Sequence, residues 1–406
     1  MPKNILISGA GIAGPTVAFW LVRYGMKVTV IERSPQLRSA GQTIDIRGTG
    51  LEVVRKMGLE DIIRARSTQE KGINFVDREN RTQAAFPVET MDGQSFVAEI
   101  EIVRGELATL LYEQTRNDVE YIFGDKITAI VDRDDRVQAS FSKGADREFD
   151  LIIIADGLNS KTRELVFESS TSPIHRLSQY TSYFSIPYEE SDGTWSRWYN
   201  APGGRCILLR PDGQGTNTTR AFLTLSSSPN GLEKLDINSQ KAEMHKLFAD
   251  AGWETPRVLS SMENSSDFYL QEVAQVKMDV WSKGRVALLG DAGYCPSPIS
   301  GMGTSVAIVG AYILAAEIAH HEDHKDAFAS YETLLRPYIT KAQSLPPGAP
   351  HFATPQTEWG IWILHKVLSV ASFGIRVGAA RFFRKFLSPP AESIELPTYD
   401  TQIIRQ

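Results

Sequence analysis

Gly9, Gly11 and Gly14 stand in the run Gly9-Ala10-Gly11-Ile12-Ala13-Gly14, and Glu32 follows 18 residues after the last of them. Glycines so spaced can form a turn tight enough to lay backbone N–H groups against a pyrophosphate. A carboxylate at Glu32, with Arg33 beside it, could accept hydrogen bonds from ribose hydroxyls. A second set lies far along the chain: Gly290-Asp291, then Pro298, Gly301, Gly303 and Thr304 ahead of an apolar stretch. Asp291 could accept from the hydroxyls of a sugar or ribityl chain, and the glycines could leave N–H groups open to an anion or polarised carbonyl. Between the two sets stand Arg104, whose guanidinium fork could reach a phosphate or a ring, and Asp156-Gly157. Each feature also has a plain structural reading: a turn kept for packing, an exposed arginine at a helix start, an Asp-Gly turn.

The elements that must position these residues can be read from periodicity. Asn4 to Ser8 reads as a strand, Ile12 to Arg23 as a helix stopped at Gly25, and Lys27 to Glu32 as a second strand. Gly9 to Gly14 therefore sits between a strand and a helix, the context in which G-x-G-x-x-G signals a dinucleotide site; Ala13 belongs to the same turn. Residues 42–48 suggest a brief strand, and helices follow over Thr49 to Met57 and Leu59 to Ala65. Ile73 to Asp77 reads as a strand, and residues 81–95 as polar and irregular. Val97 to Val103 reads as a strand whose alternate glutamates mark a solvated face. Arg104 then falls at a strand-to-helix junction, before a helix over Gly105 to Thr115. Val119 to Phe123, Ile127 to Asp132 and Val137 to Ser142 suggest an antiparallel meander. Leu151 to Ala155 is continuously apolar, as a strand buried on both faces of a parallel sheet requires, and it places Asp156 at its carboxyl end. Residues 171–285 alternate strands with Pro, Gly and Ser loops around one helix (Ser239 to Ala251), an inserted and mostly antiparallel sheet. Arg285 to Leu289 returns to a buried strand, and a long apolar helix spans Thr304 to Ala319.

The chain has 406 residues, a net charge of −6 and ordinary globular composition, which argues for two or three domains and against a general nucleic-acid binder. Its two cysteines, Cys206 and Cys295, suggest neither a disulfide framework nor a metal site. His320, His321 and His324 have metal-like spacing but lie in a charged helix end, so no metal is expected. The N-terminus runs directly into a strand, and a cytoplasmic protein is expected. Two nucleotide-style turns about 280 residues apart fit one long cofactor crossed by two elements better than two separate ligands.

In order, Gly9 to Gly14 with Glu32, Arg104, Asp156-Gly157, and Gly290-Asp291 with Pro298-x-x-Gly301-x-Gly303 resemble the motifs of class A, p-hydroxybenzoate hydroxylase-like FAD-dependent monooxygenases. The resemblance covers roughly residues 1–340. Within that group the stretches GQTIDIRG, GWET, DFY, QVKM and GDAGYCPSPISG are most similar to the tetracycline destructases and their fungal and bacterial relatives. The resemblance implies an α/β fold: a Rossmann-like FAD-binding domain (1–170 and 277–343), an inserted substrate sheet (171–276, with some strands within 73–103), and a linker and C-terminal helix region (344–406). It implies bound FAD, with NADPH (or NADH) and O2 as co-substrates and hydroxylation of an aromatic or polyketide-like small molecule through a flavin C4a-hydroperoxide. A dehydrogenase or reductase of the same fold, a tetracycline-inactivating enzyme and, last, a non-enzymatic flavin binder are the alternatives. Glu32 would take the adenosine ribose, Arg104 the phosphate–ribityl region, Asp291 the ribityl chain, and Gly301, Gly303 and Thr304 the pyrimidine side of the ring. Asp156-Gly157 would serve both FAD and NADPH. The chain departs from the pattern at Tyr294, where many members have His, and at Thr304-Ser305, a region that often contains Asn.

Such chemistry rests on the cofactor and on exclusion of water rather than on an acid–base triad. Arg47 is the one candidate for a polar group beside flavin or substrate; a surface arginine is the alternative. Residues 344–355 are Pro-rich and read as a linker. Trp359 to Leu387 reads as one or two helices with a polar stripe of His365, Ser369, Ser372 and Arg376. Lys366 and Arg376 argue against a membrane span. A core helix, a lid over the substrate and an interfacial helix ending in Arg381 to Lys385 are the three readings, in that order.

Overall fold

Strand Asn4–Ser8 has Ile5, Leu6 and Ile7 fully buried because it is sandwiched on both sides. It pairs parallel with Lys27–Glu32 (Ile5 opposite Val28) and with Leu151–Ile154 (Ile5 opposite Leu151). The helix Ala13–Arg23 crosses between the first two. The structure, a computed structural model, describes residues 2–37, 41–68, 70–88, 100–168, 172–212, 217–346, 348–376 and 394–399. The sheet runs Ser282–Lys283, Val286–Leu288, Leu151–Ile154, Asn4–Ser8, Lys27–Glu32, Glu120–Phe123, parallel except for its first strand. Covered by helices, its strands show the unbroken apolar runs of a parallel sheet. The helix Gly303–His320 is buried almost throughout and packs on Ala13–Arg23, with the Trp20 and Tyr312 rings 5.0 Å apart. Among the described residues it alone has the length and apolarity to cross a membrane, but here it is the centre of the core.

A seven-stranded sheet forms the second layer system, in the order Tyr269–Val276, Ile174–Pro187, Thr218–Ser226, Arg205–Pro211, Ser196–Ala201, Gly72–Val76, Thr82–Pro87. It is antiparallel except where Ser196–Ala201 meets Gly72–Val76. Helices Ile237–Phe248 and Thr255–Asn264 cover one face through Phe248, Val258 and Met262. The α/β class with an inserted antiparallel sheet and C-terminal helices is thus what the chain adopts.

Several local expectations are corrected. Glu120–Phe123 pairs parallel with Lys27–Glu32 and joins the main sheet, leaving a three-stranded meander (Ile127–Asp132, Val137–Phe141, Arg147–Phe149). Residues 81–95 are not all irregular: Thr82–Pro87 is an edge strand, with Phe86 buried, and Pro87 ends it where a ladder donor is not needed. Residues 89–99, including the start of the strand expected from Val97, lie outside the described residues; Ile100–Val103 pairs with Thr43–Ile46. Glu101 in that strand is 6% exposed rather than solvated, because Arg210 from the large sheet neutralises it. Ser196–Ala201, Thr255–Asn264 and the helix His324–Gln343 were not anticipated.

The Pro-rich stretch 344–355 lies against the sheet instead of spanning open space. Asn200 Nδ2 donates to the Ala353 carbonyl at 2.8 Å, and the Thr354 and Ser226 hydroxyls share a hydrogen bond at 2.5 Å. The helix Glu358–Arg376 then packs on Thr82–Pro87, where Ser372 Oγ donates to the Ala85 carbonyl at 2.7 Å. The remainder of that expected helix, with Arg381 to Lys385, lies outside the described residues. Finally Ile394 and Tyr399 dock on the core through Thr49 and Glu317.

Candidate active site

A cavity of about 980 Å³ opens at the carboxyl ends of the parallel strands and extends to the large sheet. It lies where strand order reverses around Asn4–Ser8, the position at which open parallel sheets bind ligands. Gly9, Gly11, Ala13, Glu32, Arg33, Arg47, Arg104, Asp156, Asp291, Pro298, Gly301, Gly303 and Thr304 all line it. Gly14 does not; it lies beneath the turn, where a Cβ would stand 1.9 Å from the Gly9 carbonyl oxygen. Gly9 has φ +107°, and a Cβ there would meet the Ala155 carbonyl oxygen at 2.6 Å. Both positions therefore demand glycine.

The two glycine turns meet. A Cβ on Gly290 (φ +64°) would lie 3.1 Å from the Ala13 Cβ, and one on Gly11 would lie 3.4 Å from the Arg104 guanidinium. The helices that follow, Ala13–Arg23 and Gly303–His320, both begin without a side-chain cap and without an acidic residue in the first turn. Their free N–H groups and positive dipole ends are open to anionic or carbonyl oxygens at the cavity. Glu32 accepts from the Ala10 and Ser34 amides, each at 2.9 Å, which fixes its carboxylate at the rim with lone pairs to spare. Burial pushes the Asp291 carboxyl above the usual range, opposed by Cys295 and by the charge of Arg104.

Among the described residues, two polar side chains on the cavity stand out for lacking a partner. Arg104 heads the helix Arg104–Glu113, and its half-buried guanidinium makes no hydrogen bond or ion pair with the described residues. Ser297 is 2% exposed, its Oγ has no hydrogen-bond partner among them, and its φ is +78°. A strained serine and an idle arginine on one cavity are the mark of a site shaped for a polar ligand. Together with the two glycine-only positions, they fit FAD.

Other expected residues behave differently. Asp156 reaches the cavity, but Ser160 donates to one oxygen and Thr162 Oγ1 to the other at 2.8 Å, so it serves the start of the helix Lys161–Val166. Asp156→Ala is expected to cost about 1 kcal/mol of stability, the usual value of a lost helix-start bond, measurable by urea unfolding. Arg47 is not a free surface arginine: Nε and Nη2 hold Asp45 at 3.1 and 2.8 Å, and its backbone N–H donates to Ser305 Oγ at 3.0 Å. Tyr294 turns away from the cavity into the core, where Tyr331 donates to its hydroxyl at 2.9 Å.

Sequence reasoning missed the charged floor. Arg210 lines the cavity and holds Glu70 at 3.0 Å and Glu101 at 2.5 Å. Asp45 stands directly opposite Glu101 across the small sheet. Burial pushes the Glu101 carboxyl well up, Arg210 opposes this, and Glu70 and Asp45 add to the rise. Around this floor Phe75, Trp198, Leu208, Phe222, Leu364 and Leu368 supply an apolar wall, with Gln179, Thr181 and Gln271 as neutral polar groups. No sequence signal joins Glu70, Glu101 and Arg210, which come together only when the small and large sheets pack.

A parallel-sheet crevice with two bare helix starts and an apolar, antiparallel second floor is the arrangement of a dinucleotide-binding fold with room for a second molecule. The family model described as FAD binding domain matches residues 3–344. An uncharacterized protein of Mycobacterium tuberculosis is 38% identical over 371 residues, covering 88% of this chain and 96% of its own. A flavin-dependent monooxygenase from an unknown prokaryotic organism is 35% identical over 401 residues, covering 98% of this chain and 99% of its own. The crystal structure of tetracycline destructase Tet(55) superposes with a TM-score of 0.81 at 33% identity, over 98% of this chain and 99% of that one. The chain belongs to this FAD-binding-domain family and is a flavin-dependent monooxygenase.

Proposed function

We propose that the enzyme uses NADPH and O2 to hydroxylate an aromatic or polyketide-like small molecule, with NADH as the weaker donor. The balance is substrate-H + O2 + NADPH + H⁺ → substrate-OH + H2O + NADP⁺. The observation that carries this reading is the aromatic, largely apolar chamber continuous with the dinucleotide turns. Its volume lies at the upper end of ordinary ligand pockets, as a cofactor ring and a fused-ring substrate together require.

Bound FAD would supply the redox chemistry, carrying two electrons from the nicotinamide to dioxygen. The chain's own residues bind, orient and shield. Glu32 would hold the ribose, Arg104 and the start of Ala13–Arg23 the pyrophosphate, and Asp291 the ribityl hydroxyls. The N–H groups at Gly303 and Thr304 would meet the carbonyl oxygens of the ring, while Gly301, whose N–H donates to the Pro298 carbonyl at 3.1 Å, would shape the turn beside it. Ser305 and Asp45 fix Arg47 beside that end. Phe75, Trp198 and Phe222 would sandwich a flat substrate, and Arg210 would attract an ionised hydroxyl or enol oxygen. Leu364 and Leu368 line the outer side and would help keep water from a reactive oxygen donor. The similarity to tetracycline destructases supports tetracyclines and related polyketides as the first compounds to try.

The test is NADPH oxidation by FAD-loaded enzyme against a panel of tetracyclines, anthraquinones and simpler phenols, with product mass measured alongside. Stimulated oxidation with a +16 product is expected for at least one fused-ring compound. Stimulation only by non-aromatic compounds, or faster turnover with NADH, would replace this reading.

A further inference from the structure

The helix Glu358–Arg376 has two apolar faces with opposite fates. Its inner face buries Leu364 and Ala371 and lends Leu364 and Leu368 to the cavity wall. Its outer face presents Trp359, Trp362, Ile363, Val370 and Phe373, which are between 48% and 72% exposed. At 100° per residue these five fall within one stripe about 21 Å long at 1.5 Å of rise per residue. Scattered exposed apolar side chains are ordinary, but a contiguous stripe with two tryptophans and a phenylalanine marks an interaction surface. Apolar side chains on opposite faces of a helix call for cover on both, and among the described residues protein covers only one face of this helix.

Charge says what covers the other side. From Trp359 to Leu387 the sequence contains no Asp or Glu, yet it carries Lys366, Arg376, Arg381, Arg384 and Lys385 in a chain of net charge −6. Arg381, Arg384 and Lys385 lie outside the described residues. Lys366 lies in the exposed stripe itself, its ammonium 5.7 Å from the Trp362 ring centroid. Pairing two copies through this face would set like charges against each other, whereas anionic headgroups complement them. Tryptophan with lysine or arginine is the side-chain set that settles at a bilayer–water boundary, the rings among the headgroups and the cations toward phosphate.

We propose that the outer face of Glu358–Arg376 docks the enzyme onto an anionic lipid bilayer, with the helix lying in the plane of the headgroups. One helix then separates the membrane from the cavity, since Leu364 and Leu368 line the inside and Trp359, Trp362 and Phe373 meet lipid on the outside. The docking does not depend on which substrate or nicotinamide the enzyme uses.

The test is flotation of FAD-loaded, full-length enzyme with vesicles of phosphatidylcholine alone and of phosphatidylcholine with phosphatidylglycerol. Binding to the anionic vesicles is expected, about tenfold or more tighter than to the neutral ones, weakening as salt rises. The variant Trp359→Ser/Trp362→Ser/Phe373→Ser should lose about tenfold or more in binding while keeping its flavin absorbance. The single variant Lys366→Glu, which alters only an exposed side chain, should weaken binding to anionic vesicles and leave binding to neutral ones unchanged. An enzyme that stays soluble with every vesicle, or variants that float as well as the parent, would overturn the proposal. So would a dimer by light scattering that the triple variant converts to monomer with no vesicle binding in either protein; the face would then join two copies.

Discussion

Arg104→Ala is expected to weaken FAD binding by roughly 10- to 100-fold while leaving the apoprotein as stable as before. The guanidinium lies against Gly11 and close enough to Asp291 to lower its carboxyl, yet it forms no hydrogen bond or ion pair with the described protein. A charge-assisted hydrogen bond to a phosphate is worth about 1.5–3 kcal/mol, which sets the expected loss. Among the described residues no group hydrogen-bonds to its guanidinium, and its opposition to the rise of the buried Asp291 carboxyl is the weakest of the influences on that group, so the stability change should stay within about 1 kcal/mol. Arg104→Lys keeps the charge without the planar fork and should fall between the two. Quenching of flavin fluorescence on titration gives the affinity, and urea unfolding of the apoprotein gives the stability. Unchanged FAD affinity in the alanine variant would remove Arg104 from the site.

The second large effect falls on stability. Arg210→Ala is expected to destabilise the protein by about 3–5 kcal/mol near neutral pH, because Glu70 and Glu101 would be left buried without their counter-charge. The loss should shrink as pH falls, since protonated carboxyls need no cation. The parent protein should show the same group in milder form. Burial holds the folded Glu101 carboxyl above its unfolded value. Its favourable contribution is therefore complete below the unfolded carboxylate pKa and is lost as pH rises through the raised folded value. Glu101→Gln, the isostere of the protonated form, should remove that alkaline loss while keeping the Arg210 contact. Urea unfolding across pH measures both. An Arg210→Ala protein as stable as the parent at neutral pH, or an unaltered pH slope in Glu101→Gln, would contradict the charge arrangement.

These two sites differ in how far the sequence revealed them. The opening turn was legible because three physical demands coincide within 33 residues: glycine where Ala155 and Gly9 oxygens crowd the backbone, apolar strands on both sides, and an acid at the second strand's end. Gly290-Asp291 was legible for the same reason, and Arg104 because a strand-to-helix junction directs its side chain forward. The Arg210 floor was not. Glu101 alternates with apolar residues exactly as a solvated strand would, so only tertiary packing against Arg210 reveals it as buried. Glu120–Phe123 is four residues long and fits either sheet by pattern; its partner is chosen by where the preceding helix Arg104–Glu113 delivers it. The terminal helix was ambiguous because it is apolar on both faces. Leu364 and Leu368 line the cavity, and the outward stripe was visible only once one face had found a partner.

Label from dioxygen bears most directly on the whole reading. Enzyme loaded with FAD, supplied with NADPH and a compound that stimulates its oxidation, should under ¹⁸O2 give product carrying a single ¹⁸O atom, and none when the label is in water. Product that takes its oxygen from water, or electrons that end entirely in hydrogen peroxide with every compound tried, would contradict it.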